Sequence, residues 1–265
     1  QLVKAGGNLN QTDRHGWTPM MLAAKTGKHV IVKLLLSLGA DSDLTDESGL
    51  TAFLIAVKEG HIEVMSELWE RGDLDIESQD NFGNTALMWA ITLGRVNCMY
   101  VLLEMEADVN THSKIDGQTA LMMAAKSGSE SDIKHLVKTG ANIAAIDHNG
   151  TTALMYASKL GRANQTKTLI ELGADVNAAD NDGVTAGIIA AYYGRLTCLE
   201  HLLAAEININ ACDKKGRTAL MDAASTGRAD CVQLLLHNGS NPAVKDKDGV
   251  TAFHLAVCNG FLDVA

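Results

Sequence analysis

The first chemistry this sequence offers is sulfur. The tetrapeptide Thr-Ala-Leu-Met stands at residues 85–88, 119–122, 152–155 and 218–221, and recurrent thioethers can bind soft metals. Five methionines share that slot, Met21, Met88, Met122, Met155 and Met221, while Leu54 and Ile188 fill it elsewhere. Leucine and isoleucine match methionine in size but offer no donor atom, and sulfurs one packed helix apart, roughly 10 Å, cannot share an ion. These methionines are therefore expected in the core. Asp13, Asp46, Asp80, Asp147, Asp180, Asp213 and Asp246 recur at near-constant spacing and suggest calcium, yet each can cap its own turn. Nine histidines form no HExxH, and there is no GxxxxGK[ST], GxSxG or EF-hand loop. The expectation is no catalytic residue, no cofactor and no metal site.

The five cysteines, at 98, 198, 212, 231 and 258, include no CxxC pair and are odd in number. That pattern argues against a disulfide framework and for a reducing, cytoplasmic setting. A net charge of −10 argues against a general nucleic-acid binder, which needs a basic surface. No apolar run is long enough to span a bilayer, so direct membrane insertion is not expected. Only 4% of residues are aromatic and only two are proline, which suits small side chains in a regular helical lattice.

The elements that position all these residues repeat. The glycine of D-x-x-G-x-T falls at Gly16, Gly49, Gly83, Gly117, Gly150, Gly183, Gly216 and Gly249, with intervals of 33 or 34 residues. One unit, residues 147–179, reads DHNGTTALMYASKLGRANQTKTLIELGADVNAA. A turn signal with glycine comes first, then threonine as N-cap, an Ala-rich helix ending at glycine, and a second apolar helix ending in G-A-D-V-N. The same register places Cys98, Cys198 and Cys231 where Ile31, Val64 and Val264 stand in other units, as buried small hydrophobes, and leaves Cys212 and Cys258 on loop and groove positions.

D-x-x-G-x-T-A-L-x-x-A-A-x-x-G followed by L-L-x-x-G-A-D-V-N resembles the ankyrin-repeat family, over the whole chain. TPMM at 18–21 approaches the family's T-P-L-H, and TAFH at 251–254 keeps its histidine. The resemblance implies an all-α ankyrin-repeat solenoid of helix-turn-helix units joined by hairpin loops, one domain over 1–265. Partial repeats are expected at 1–12 and 246–265 and full repeats at 13–45, 46–79, 80–113, 114–146, 147–179, 180–212 and 213–245, as in a piece of a longer array. It also implies recognition through the hairpin tips and the concave face of the first helices.

Carrying the family's variable positions onto this chain selects the residue before the alanine pair: Leu22, Ile55, Trp89, Met123, Tyr156, Ile189, Asp222 and Leu255. Groove positions add Tyr192 and Tyr193, and the turns add Trp17 and Phe82. Six of the eleven aromatics thus fall on the expected binding face, where Trp and Tyr make strong anchors. Lys214, Lys215 and Arg217 crowd one hairpin, with Lys245 and Lys247 on the next, which suits a partner protein or extended segment that is apolar with acidic residues.

The resemblance implies a non-enzymatic scaffold or adaptor module; the alternative is the regulatory or substrate-recruiting region of a larger kinase or ubiquitin ligase, or the cytosolic tether of a membrane channel. Two departures are expected to matter. One extra residue falls near Asp73 and another within 111–116, where Lys114 stands in the aspartate slot. Asp132 and Gln165 take a helix position held elsewhere by Ile, Val or Cys, so residues 128–170 should be the softest stretch. The resemblance further implies that Asn110 and Asn177, in D-V-N with a leucine eight residues earlier, are similar to hydroxylation sites of such repeats.

Overall fold

The structure, a computed structural model, describes residues 6–71, 74–127, 129–261 and 263–264. Those residues form fifteen helices and no strand; two isolated bridges, Ala179 to Thr185 and Cys212 to Thr218, brace hairpins. The chain divides into two compact units, 1–120 and 121–265. The first holds α1 (Pro19–Lys25), α2 (His29–Ser37), α3 (Ala52–Glu59), α4 (Ile62–Trp69), α5 (Ala86–Thr92) and α6 (Val96–Glu104). The second holds α7 (Ala120–Ser127), which starts at the division, α8 (Glu130–Lys138), α9 (Ala153–Leu160), α10 (Ala163–Glu171), α11 (Ala186–Tyr192), α12 (Leu196–Ala204), α13 (Ala219–Ser225), α14 (Ala229–His237) and α15 (Ala252–Cys258). This is the all-α repeat solenoid that the resemblance implies.

Before α7 the Thr119 Oγ1 has no partner among the described residues, but every other first helix starts because a threonine accepts the N–H three residues on. Thr18, Thr51, Thr85, Thr152, Thr185, Thr218 and Thr251 all do so, at 3.2–3.4 Å. Alanines then allow first helices to stack closely: α1 on α3 on α5 in the first unit, and α9 on α11 on α13 on α15 in the second. Second helices stack likewise, α2 on α4 on α6 and α8 on α10 on α12 on α14. Between pairs, the hairpin aspartate accepts N–H bonds from residues two and four places on, as Asp46 does from Ser48 and Leu50 at 2.8 and 2.9 Å. The glycine between them needs positive φ, and at Gly49 a Cβ would stand 2.5 Å from Asn81 Oδ1.

The five methionines are each 1% exposed, as packing residues. At Met21 the sulfur also accepts the Thr18 N–H, at 3.4 Å, closing a capping box. His254 does the same with Nδ1, 3.2 Å from the Thr251 nitrogen. A thioether thus stands in for an imidazole as a local acceptor. Cys98, Cys198 and Cys231 are buried and Cys212 and Cys258 exposed, as their register implies. Burial pushes the three inner thiols above their ordinary pKa and keeps them unreactive.

Three positions differ from expectation. Ile31 is 48% exposed, because no second helix of an earlier repeat lies against α2 among the described residues. The backbone puts Ser113, not Lys114, in the aspartate slot: Ser113 N–H bonds to Gln118 O and Gly117 N–H to Ser113 O, so the extra residue widens the turn after the slot. Asp132, at a position that Val64, Cys98, Cys198 and Cys231 fill in other repeats, is buried and held locally through one of its two carboxylate oxygens. Its Oδ2 accepts the Ser129 N–H at 3.1 Å while Ser129 Oγ accepts its own N–H at 3.3 Å, making α8 the only second helix among the described residues with a side-chain cap. The insertion near Asp73 lies outside the described residues.

Candidate functional surface

In the first unit, Trp89 sits half-buried on α5, pinned from two sides. Its indole N–H donates to Asp80 Oδ2 at 2.8 Å, and Lys58 Nζ, from the preceding first helix, lies 3.9 Å from a ring centroid. Asp80 therefore serves twice: Oδ1 closes the hairpin through Phe82 and Asn84, and Oδ2 fixes the ring. Phe82, at the tip, is 64% exposed. Trp17 is half-buried beneath Lys25, whose Nζ is 4.8 Å from its ring. Ile55, assigned to the same face, is buried at 2% and belongs to the core.

The second unit repeats the arrangement with a phenol. Tyr156 on α9 donates its hydroxyl to Asp147 Oδ2 at 2.7 Å, and Lys126 Nζ lies 4.9 Å from its ring. Met123 is half-buried on α7. Tyr192 and Tyr193, at the end of α11, are exposed and meet edge to face at 5.1 Å, with Lys159 Nζ 5.9 Å from the Tyr193 ring. The spacing of nine residues between hairpin aspartate and ring, 80 to 89 and 147 to 156, was visible in the sequence but its bond was not.

The basic hairpin is less uniform than its composition implies. Lys214 and Lys215 are exposed, but Arg217 is half-buried and bonds Asp222 Oδ1 at 2.7 Å and Ser225 Oγ at 3.0 Å. Burial raises the Asp222 carboxyl to about 6; Arg217 opposes the rise and the Asp213 carboxylate adds to it. Among the described residues no group of three or more His, Cys, Asp or Glu could hold a metal ion. No helix of those residues is long and apolar enough to cross a membrane. Asn110 and Asn177 lie in Asx turns, taking N–H bonds to Asp108 and Asp175, and Asn177 Oδ1 also accepts the Asn208 N–H at 2.7 Å.

Half-buried rings held by fixed donors and cations thus stand on first helices in both units. A 138-residue stretch is 33% identical to the ankyrin repeat domain-containing protein SAT10 of Stachybotrys chartarum, covering 52% of this chain and 7% of that protein. A stretch of 144 residues is 28% identical to mouse Rabankyrin-5, covering 54% and 12%. A third, of 140 residues, is 35% identical to palmitoyltransferase AKR1 of Lachancea kluyveri, covering 52% and 18%. The chain thus spans under a fifth of these proteins' lengths. The sequence model for ankyrin repeats in three copies matches residues 1–77, 31–113, 105–180, 167–246 and 187–265, and the chain belongs to the ankyrin-repeat family.

Proposed function

We propose that this chain is a non-enzymatic scaffold or adaptor that binds a partner protein or extended peptide along the concave first-helix face and the hairpin tips. The observation that carries this reading is the recurrence of a pinned ring in both units, Trp89 on Asp80 and Tyr156 on Asp147. A ring already fixed loses little entropy on binding, and rigid aromatic anchors are what interfaces use most. Phe82, Met123, Tyr192 and Tyr193 add apolar contact around them, and Lys214 and Lys215 favour acidic residues in the partner.

Similarity to a segment of a palmitoyltransferase supports a second reading, in which the same surface recruits a protein to an enzyme located elsewhere in a longer chain. Both readings use one binding face and share one test. Panning a random-peptide display library on the chain, then mapping the selected peptides by hydrogen exchange, should show protection at the first helices and hairpins. Protection confined to the second helices would overturn the proposal.

A further inference from the structure

Two hairpin aspartates spend their second carboxylate oxygen on a ring nine residues on. Asp80 Oδ2 takes the Trp89 N–H at 2.8 Å, and Asp147 Oδ2 takes the Tyr156 O–H at 2.7 Å. Each ring also lies under a lysine of the preceding first helix, Lys58 at 3.9 Å and Lys126 at 4.9 Å. An acceptor and a cation thus hold one ring from two sides, once in each unit. Asp13, Asp46, Asp180 and Asp246 have Leu22, Ile55, Ile189 and Leu255 nine residues on, aliphatic side chains with no donor.

Of these four, Asp180 keeps every part of the arrangement except the ring. Its Oδ1 closes the hairpin on the Asp182 and Val184 N–H groups at 2.8 and 2.9 Å, while Oδ2 has no partner among the described residues and is not sealed from solvent. Ile189 on α11 and Asp180 are both half-buried, so the slot is open. Lys159 on α9 holds the place of Lys58 and Lys126, two residues before a glycine. With no ring at 189, its Nζ lies 5.9 Å from the Tyr193 ring, and no carboxylate pairs with it among the described residues. The other three slots each lack a part: Ile55 is buried, Ser225 stands in the lysine place before Asp246, and no first helix precedes α1 among the described residues. We propose that the slot between Asp180 and Lys159 takes a tryptophan or tyrosine side chain of the partner, its N–H or O–H on Asp180 Oδ2 and its ring on Ile189 under Lys159. Such a guest regains the charge-assisted bond and the cation contact that Trp89 and Tyr156 make within their own repeats. A ring without a donor fills the same space but strands a desolvated carboxylate oxygen beneath it, so the slot selects against phenylalanine. This rests on the concave-face reading above and names the side chain that one position of it selects.

The test titrates the whole chain, isotope-labelled for NMR, with N-acetyltryptophanamide and with its indole-N-methylated analogue, which keeps the ring and loses the N–H. Expected are saturable amide shifts at residues 180–184 and in α11, with the methylated analogue roughly tenfold weaker. Asp180→Asn should bring both ligands to the weaker affinity. That variant can still close the turn, as Asn241 Oδ1 does by accepting the Ala243 N–H at 3.0 Å. Lys159→Gln should weaken both ligands alike, roughly threefold. Ile189→Tyr, which fills the slot from within as Tyr156 does, should abolish binding, and the control Asp230→Asn on α14 should leave it unchanged. No shift at 180–184, equal affinity of the two ligands for the wild type, or an equal loss in the control overturns the proposal. So does N-acetylargininamide binding more tightly with the same dependence on Asp180, which would make this a cation site. If library peptides protect the first helices and hairpins while neither indole ligand shifts 180–184, this inference fails and the scaffold reading stands.

Discussion

Repeats 80–113 and 213–245 place different chemistry at one position, and the contrast shows what the position requires. The hairpin aspartate has one oxygen to spare after closing its turn. In the first repeat Trp89 gives that oxygen a donor at 2.8 Å, so carboxylate and ring hold each other still. In the second repeat the equivalent residue is Asp222, which brings a second carboxylate instead of a donor. Asp213 then helps raise the Asp222 pKa, and Arg217 turns inward to compensate, at 2.7 Å. One arrangement pairs a single carboxylate with a neutral donor and presents an aromatic surface; the other is an internal ion cluster that takes an arginine away from the hairpin's exposed charge.

The largest effect should come from breaking that compensation. Arg217→Met leaves two acids facing each other, and should cost about 3 kcal/mol in urea unfolding near pH 7, discounted from a fully buried pair because the arginine is 29% exposed. The loss should shrink near pH 4, where Asp222 is neutral; an equal loss at both pH values would show that packing, not charge, is at work.

The second effect is the pH window itself. A folded pKa of about 6, above the ordinary carboxylate value of 3.8, means the fold favours the neutral acid. Its stabilisation is complete below the ordinary value and is lost as pH rises through about 6, on the order of 2 kcal/mol. Comparing wild type with Asp222→Asn across that range isolates the term, because the variant should lack it; identical profiles would remove Asp222 as the source.

Trp89→Phe keeps a ring and removes the donor, leaving Asp80 Oδ2 without its indole partner. Thermal or urea melts should show about 1.5 kcal/mol lost, and Tyr156→Phe about 1 kcal/mol for the same reason at Asp147. No loss in either would mean water replaces the donor freely and the rings are not pinned.

A smaller effect, of opposite sign, lies at the ends of α6 and α12. Glu106 and Glu206 take positive φ, 62° and 57°, where other repeats have glycine. Glu206→Gly should therefore stabilise by about 1 kcal/mol, and a destabilised variant would reveal a role for the glutamate side chain. Smallest of all should be a local difference in hydrogen exchange. Residues 129–170 bury Ser158, Thr166 and Thr168, and Ser158 Oγ has no partner among the described residues. Amides there should exchange roughly tenfold faster than those of α3 to α5, and uniform protection would contradict it.

Much of this molecule was readable from its sequence because its signals are local and repeated. Threonine before alanine marks a helix start in every repeat and a side-chain cap in all but Thr119, and buried Met88 or Cys98 follows from register alone. The candidate surface was half readable. Trp89 and Tyr156 are half-buried and Tyr192 and Tyr193 exposed, but Ile55, in the same register as Trp89, is covered by its neighbours. The slot shift from Lys114 to Ser113 was hidden because a one-residue insertion can be absorbed on either side of a turn.

Sequence by itself determined the period, the first-helix starts, the methionine core and the family, since each depends on residues within one repeat and eight copies of the hairpin glycine keep them in phase. Tertiary structure alone decided which aspartate oxygen meets which ring, which lysine of one repeat covers the aromatic of the next, and which arginine is consumed by an internal acid. Those outcomes depend on side chains from neighbouring repeats competing for the same few ångströms of space, and a linear pattern carries no record of who reaches first.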